Sequence, residues 1–495
     1  MRKDRGAHGP RSNSGVDLDL AIVGGGIAGT AVAWAVQQSR PDWSVALFER
    51  TNRIGGRLRS AKVDGLDHPI ELGGMRYITS HRRFAELIDQ FALPTHRFDP
   101  TGAEARSFLR GIASAGPDDP EAGRGYDLEA PDRGRSAIDL ARKAFEQIVP
   151  GFAALDHDGY AARRATDRFL DRRLTDWPIG DAIEAVLGRE GRLFVADAFG
   201  YDSGIREFNA PDFVEFMFVG GDPSDEARTP DDGMDQIPRE LATRFEAGGG
   251  AIHLERGLES LTMENGAVSL RLGGDSHVQA ARVVLAAPLP ALRLLASSSP
   301  VLRQPAFGRV FDSVEAFPAM KLYLWYDRPW WRPSVSGNQT ITDLPLRKVF
   351  YFDGAAGSRS ALLAMFTDGL HIRPWADLYD GSPGGAPASS AMLAEATRLL
   401  RETHPDVSDM PPPIGSAFMY WGADPHEAAW HFWRAGEVSD EILLVAPQPD
   451  RTLPVYIANE AFSRRQSWAE GALESAEAVV ERVTAEPVSR PHSAI

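Results

Sequence analysis

Three glycines, Gly24, Gly26 and Gly29, and one carboxylate, Glu49, carry the first chemistry readable in this chain. The glycines fit G-x-G-x-x-G, and Glu49 lies 20 residues beyond Gly29. A pyrophosphate can rest on backbone N–H groups at a helix start only where no Cβ holds it away, and a carboxylate at that distance can accept both hydroxyls of an adenosine ribose. The apolar run Leu20 to Val23 enters the glycines, an Ala- and Val-rich stretch unbroken until Pro41 leaves them, and a second apolar run, Val45 to Phe48, delivers Glu49. This order reads as strand, tight turn, helix and strand of a dinucleotide site. Ala28 within the motif and Arg50 after the acid complete the cofactor-binding set. Arg50 does not signal NADP, because Glu49 already takes the ribose position.

Which dinucleotide is bound follows from the next two motifs. Gly55-Gly56-Arg57 begins six residues past Glu49, and Glu71-Leu72-Gly73-Gly74-Met75-Arg76-Tyr77 comes soon after. With these the chain resembles the FAD-dependent amine oxidase superfamily and, within it, the L-amino-acid oxidase branch. The resemblance implies that Arg57 lies along the pyrophosphate and that Gly73, Gly74 and Met75 meet the isoalloxazine. It also implies that Leu258, after a short returning strand, touches the adenine. Near the C-terminus Asn459-Glu460 and the stretch Trp468-Ala469 match the family's last motif, in which an acid meets the ribityl–pyrophosphate region and a helix N-terminus points at the flavin O2 carbonyl. Relatives often have Gly-Glu where this chain has Asn459-Glu460, so the glycine is missing and the acid remains.

Two charged residues decide the reaction. Arg76 follows the flavin glycines, as an arginine does in the tryptophan oxidase that opens violacein biosynthesis. A bidentate guanidinium suits an α-carboxylate, which an amino-acid oxidase must hold and an amine oxidase need not. Lys321 interrupts the apolar run FPAMKLYLWY, 317–326. As a strand this run sends Ala319, Lys321, Tyr323 and Trp325 one way and Met320, Leu322 and Leu324 the other. A lysine there is either an edge-strand charge that blocks sheet pairing or, as the family implies, the group that holds a water against flavin N5. The catalytic pair is thus Lys321 and Arg76. Tyr420, Trp421, Trp430 and Trp433 read either as domain core or, by resemblance, as the substrate-binding wall with Arg76.

Composition narrows the class. There are 53 basic and 69 acidic residues, a formal charge of −16, which disfavours nucleic acid or an anionic membrane as partner. Cysteine is absent, so disulfides, thiolate metal sites and a thioether-linked flavin are excluded, and FAD is expected to be non-covalent. No metal is called for. No apolar stretch approaches the roughly 20 residues of a spanning helix. The polar segment before Asp17 reads as a disordered leader on a cytoplasmic enzyme, and the end TAEPVSRPHSAI carries no apolar anchor.

The resemblance implies an α/β scaffold: a discontinuous Rossmann-type FAD-binding domain (18–80, 234–300 and 455–485), a mixed-sheet substrate domain (81–112 and 301–454) and a helical insertion (136–232), between a leader, 1–17, and a tail, 486–495. Ser136 to Gly200 places apolar residues at spacings of three and four, as amphipathic helices do, and its many arginines read as a solvated helix face. Ala113 to Arg135, dense in Gly, Pro and Asp, reads as a long loop. The resemblance implies hydride transfer from the substrate Cα to flavin N5. O2 then gives hydrogen peroxide, and the imino acid hydrolyses to a 2-oxo acid and ammonia. The aromatic wall points to a bulky aromatic amino acid such as tryptophan or phenylalanine and leaves lysine or arginine open, since cationic side chains also bind tryptophan faces; the resemblance implies a place in secondary metabolism and a homodimer. An amine or polyamine oxidase, a flavin desaturase and a non-catalytic FAD-binding protein are the alternatives.

Overall fold

Strand Leu20–Val23 is buried along its whole length, and its alternate residues serve two cores. Leu20 and Ile22 face helices Ile27–Ser39, Gln236–Ala247 and Ala469–Ala485, whereas Ala21 and Val23 face the opposite side, toward an antiparallel sheet of Leu258–Glu264, Ala267–Leu272 and Ser276–Ala280. Cover on both faces is why the run is apolar throughout rather than alternating. The computed structural model describes residues 16–98, 105–218, 224–423 and 428–485. In it Leu20–Val23 is the middle strand of a five-stranded parallel sheet, ordered Ala251–His253, Val45–Phe48, Leu20–Val23, Val283–Leu285, Val455–Ile457. One dinucleotide-type sheet is therefore assembled from three distant stretches of chain. The leader call, 1–17, falls outside the described residues except for Val16 and Asp17, and the tail call, 486–495, falls wholly outside them.

A second, mixed sheet of seven strands runs Gly415–Tyr420, Ala319–Tyr326, Ser360–Asp368, Lys348–Phe352, Gln339–Thr342, Ala105–Leu109, Ile112–Ser114. Only the pairing of Gln339–Thr342 with Ala105–Leu109 is parallel. Ala319–Tyr326 is flanked on both sides, so Lys321 is not an edge-strand lysine. The alternation is as the sequence suggests. Met320, Leu322 and Leu324 enter one core with Trp331 and Trp375, and Ala319 and Tyr323 enter another with Leu72 and Trp421. Pro318, which lacks an N–H, splits the expected strand. The preceding Val314–Phe317 pairs instead with Trp430–Trp433.

Helices Ala137–Ile148, His157–Thr166, Ile179–Phe199, Asp202–Glu207 and Ala210–Phe218 form the third layer. Three expectations here need correction. The helical pattern from Tyr160 to Leu174 breaks at Asp167, after which Leu170 and Asp171 take positive φ and turn a tight hairpin of Arg168–Phe169 and Arg172–Arg173. Arg164 is not solvated: it is buried and pairs with Asp212, Glu215 and Asp440, a cluster that ties three helices together. The stretch 113–135 is ordered by short turns at Pro120–Gly125 and Ala130–Asp132, because Ala122, Tyr126 and Leu128 are buried and the Tyr126 hydroxyl donates to Asp197 at 2.7 Å. Among the described residues no helix is long and apolar enough to cross a membrane.

Candidate active site

A cavity of about 1070 Å³ lies where the parallel sheet, the mixed sheet and the helical layer meet. Its long arm follows the glycine motif. Gly24 has φ +113°, and a Cβ there would stand 2.4 Å from the Ala286 carbonyl oxygen. A Cβ on Gly29 would stand 1.9 Å from the Gly24 oxygen, so this glycine lets helix and strand meet and does not itself line the cavity. Gly24, Gly26 and Ala28 do line it, as do Glu49, Arg50, Gly56 and Arg57, and Leu258 closes the far end beside Glu255 and Glu259. The Glu49 carboxylate is oriented in advance: the Gly25 N–H donates to one oxygen at 2.6 Å, and the Thr51 N–H and hydroxyl donate to the other at 2.7 Å each.

Further along the arm, Gly73, Gly74, Met75, Trp468 and Ala469 line the wall. Gly73 is needed for packing as well, since a Cβ would fall 2.0 Å from the Arg57 carbonyl oxygen. Ala469 opens the last helix, Ala469–Ala485, so the N-terminal end of that helix faces the cavity. Arg57 pairs with Glu460 at 2.5 Å and donates to the Ala429 oxygen at 3.0 Å, and His431 Nδ1 donates to Glu460 at 2.9 Å. Burial pushes the Glu460 carboxyl up, but Arg57 and His431 outweigh it and hold it at about 2. Asn459, at the position where relatives have glycine, has φ −150°, which any residue adopts. Its Oδ1 accepts from the Ala461 N–H at 3.0 Å, so the substitution costs the turn nothing and adds a cap.

The short arm is an aromatic chamber lined by Phe199, Tyr201, Phe366, Trp421 and Trp430. Arg76 lines it too, with its guanidinium 5.1 Å from the Phe98 ring centre and 5.7 Å from that of Trp468. It hydrogen-bonds the Tyr201 hydroxyl, while its buried Nε has no partner. Among the described residues no carboxylate pairs with it. Trp421 is fixed by donating to the Leu72 oxygen at 2.7 Å, and Trp430 by donating to Ser203 Oγ at 3.0 Å. Strand alternation sorts the other two aromatic candidates away: in Trp430–Trp433 residues 430 and 432 face the cavity, and Trp433 packs in the core behind. Tyr420 lies edge-on to Tyr379 in the core on the far side of the mixed sheet. Residues 424–427 of that stretch lie outside the described residues.

The family model described as flavin containing amine oxidoreductase matches residues 27–484. The chain belongs to this family. It is 26% identical to aplysianin-A of Aplysia kurodai over 94% of this chain and 89% of that protein, and 26% identical to achacin of Lissachatina fulica over 96% and 94%. It is 25% identical to an L-amino-acid oxidase of Mus musculus over 92% of this chain and 69% of that one. Among solved structures, a double mutant of putrescine oxidase superposes with a TM-score of 0.72 at 16% identity, covering 95% of this chain and all of the other.

As a flavin-dependent oxidoreductase the protein takes FAD, and the long arm fits it. Gly24, Gly26 and Gly56 present bare backbone to the cavity, Glu49 waits at the ribose distance, and the N-terminus of the last helix faces the cavity, a donor set suited to a pyrophosphate and to an electron-rich ring. Without cysteine no thioether can tether the flavin.

Lys321 does not line the cavity. Its Nζ donates to the carbonyl oxygens of Glu71, at 2.9 Å, and Gly73, at 2.5 Å, and it lies 4.6 Å from the ring centre of Phe366, which does line the chamber. Burial drives the Lys321 ammonium down, and burial drives the neighbouring Glu71 carboxyl up. Glu71 is held by the Met234 N–H and by Ser60. Sequence reasoning missed Tyr201, Ser203, Phe366, His431 and Lys348. Lys348 carried a usable signal, because LRKVFYF, like FPAMKLYLWY, is a lysine set in an apolar strand.

Proposed function

We propose that this flavoenzyme is an L-amino-acid oxidase acting on a bulky aromatic amino acid such as L-tryptophan or L-phenylalanine. The observation that carries the reading is Arg76: a cavity-lining guanidinium with a buried, unpartnered Nε and, among the described residues, no carboxylate against it. A half-buried guanidinium with a desolvated, unpartnered N–H and no counter-ion beside it is costly, so the substrate is expected to bring the anion. The acids that line the cavity are committed elsewhere. Glu460 pairs with Arg57, and Glu49, Glu255 and Glu259 lie in the dinucleotide arm. Aromatic walls on several sides of the chamber suit a large flat side chain.

In this reading Arg76 and the Tyr201 hydroxyl fix the carboxylate, and Phe366, Trp421 and Trp430 hold the side chain and exclude water. The chemistry FAD supplies when bound is acceptance of the Cα hydride and return of the electrons to O2 as hydrogen peroxide. Lys321 locks the Glu71–Gly73 backbone beside the flavin arm. Two of its N–H donors are used there, to the Glu71 and Gly73 oxygens. The product imino acid then hydrolyses to a 2-oxo acid and ammonia. Anaerobic mixing of the holoenzyme with L-amino acids and amines tests the reading. Bleaching of the visible flavin band by L-tryptophan or L-phenylalanine, lost in Arg76→Ala, is expected; bleaching by amines alone would overturn it.

A further inference from the structure

Lys348 is the second cation of the chamber, and the fold takes trouble to put it there. It opens strand Lys348–Phe352, directly after Arg347, which turns the chain at φ +55° and is buried with its guanidinium donating to the Thr342 and Ala196 oxygens. The Lys348 stem then passes Gly200, the left-handed residue that ends helix Ile179–Phe199. A Cβ on Gly200 would stand 2.6 Å from Lys348 Cε. The ammonium ends 3.9 Å from the ring centre of Tyr201, the same tyrosine whose hydroxyl meets Arg76. Two cations thus flank one phenol in a cavity wall.

Among the described residues no carboxylate pairs with Lys348. The charged and titratable groups around it are Arg76, Arg347, Tyr201 and Asp368, and Asp368 is already taken by the N–H groups of Asp202 and Ser203 and by the Ser203 hydroxyl. Cation–π contact with Tyr201 steadies the ammonium but does not neutralise it. A bound carboxylate would supply the negative charge that no described residue offers the Lys348 ammonium.

We propose that Lys348 is a specificity-determining residue that, together with Arg76, clamps the substrate carboxylate around Tyr201 and repels a second positive charge. The proposal rests on the amino-acid reading above and sharpens it. Substrates are aromatic or neutral amino acids, and basic amino acids and diamines are refused because a cationic side chain would meet a like charge in the chamber.

The test uses the holoenzyme and two readouts: perturbation of the flavin spectrum by benzoate, a carboxylate without an amine, and steady-state turnover of L-phenylalanine against L-lysine. Lys348→Gln keeps the Cβ–Cγ–Cδ stem past Gly200, removes the charge and shortens the side chain by one atom. It is expected to weaken benzoate by about tenfold or more, to raise KM for L-phenylalanine with little change in kcat, and to raise the L-lysine to L-phenylalanine ratio by a similar factor. Lys348→Arg is expected to restore the wild-type values, which a merely structural role would not require. Unchanged benzoate affinity and an unchanged ratio in flavin-loaded Lys348→Gln would overturn the proposal. If Arg76→Ala abolishes benzoate binding in that case, the amino-acid reading survives; if neither variant affects it, both fall.

Discussion

The two arms of the cavity are built by opposite means. The dinucleotide arm is made mostly of backbone and of absent side chains: Gly24, Gly26, Gly56, Gly73 and Gly74 line a path, Gly29 lets helix and strand close behind it, and a single oriented carboxylate, Glu49, faces it. The substrate chamber is made of side chains from scattered elements. Tyr201 and Ser203 come from the helical layer, Lys348 and Phe366 from the mixed sheet, and Trp430 from a two-stranded ribbon. Backbone cradles are rigid and accept one ligand. A wall of side chains on separate elements can be re-specified one residue at a time, which is how one flavoprotein scaffold serves many substrates.

This contrast predicts that damage to the two arms separates cleanly. Gly29→Ala should have the largest effect, because its Cβ would lie 1.9 Å from the Gly24 oxygen and helix Ile27–Ser39 would have to move off the sheet. Overpacking of that severity is worth about 3 kcal/mol or more. The expected outcome is a protein without bound flavin and with a lower melting temperature, read by flavin absorbance and a thermal melt. Arg76→Ala comes next, with flavin content unchanged and kcat/KM for L-phenylalanine down by about 10²–10³-fold, the loss of one partner of a desolvated ion pair. If Arg76→Ala also emptied the flavin site, the arms would not be independent.

A smaller effect sharpens the chamber's side of the comparison. Burial, aided by Arg76 and Arg347 against the pull of Asp368, lowers Lys348 to about 7. Below that value it is an ammonium and attracts a carboxylate. Above it the charge is lost and binding must first recapture a proton. Benzoate affinity should therefore fall as pH rises through about 7, by up to about tenfold, and stay flat in Lys348→Gln over the same range. A spectral titration of the holoenzyme at several pH values reads this directly.

The same division explains what the sequence disclosed. The dinucleotide arm lies in short contiguous motifs whose spacing is set by one turn of backbone, so Gly24 to Glu49 and Gly55 to Arg76 were readable without a structure. Glu460 was readable too, although Asn459 broke the pattern. Its extended φ shows why the missing glycine was no obstacle. The chamber was only half legible. Arg76 was found because it adjoins a motif, whereas Tyr201 and Lys348 are 147 residues apart and meet only because Gly200 leaves room for a lysine stem. Packing of that kind has no local signature. The three tryptophans and one tyrosine between 420 and 433 show the limit of composition as a guide. Aromatic density marked the right neighbourhood, but which rings face the cavity depends on a strand register that appears only when Trp430–Trp433 pairs with Val314–Phe317.

That register yields the weakest expected effect. Trp430 and Trp433 sit three residues apart on one four-residue strand, so they face opposite sides, one in the chamber and one in the core. Trp430→Phe removes the indole donor to Ser203 and reshapes a chamber wall, so KM for an aromatic amino acid should shift severalfold while stability hardly changes. Trp433→Phe should do the reverse: a stability loss of about 1–3 kcal/mol from the space left in a closed core, with KM within about twofold of wild type. Tyr420→Phe, in the core beyond the mixed sheet, should leave both nearly untouched. Kinetics and thermal melts on the three variants form one experiment. A KM change in Trp433→Phe matching that in Trp430→Phe would mean that the strand lies in the other register and that the chamber wall is misassigned.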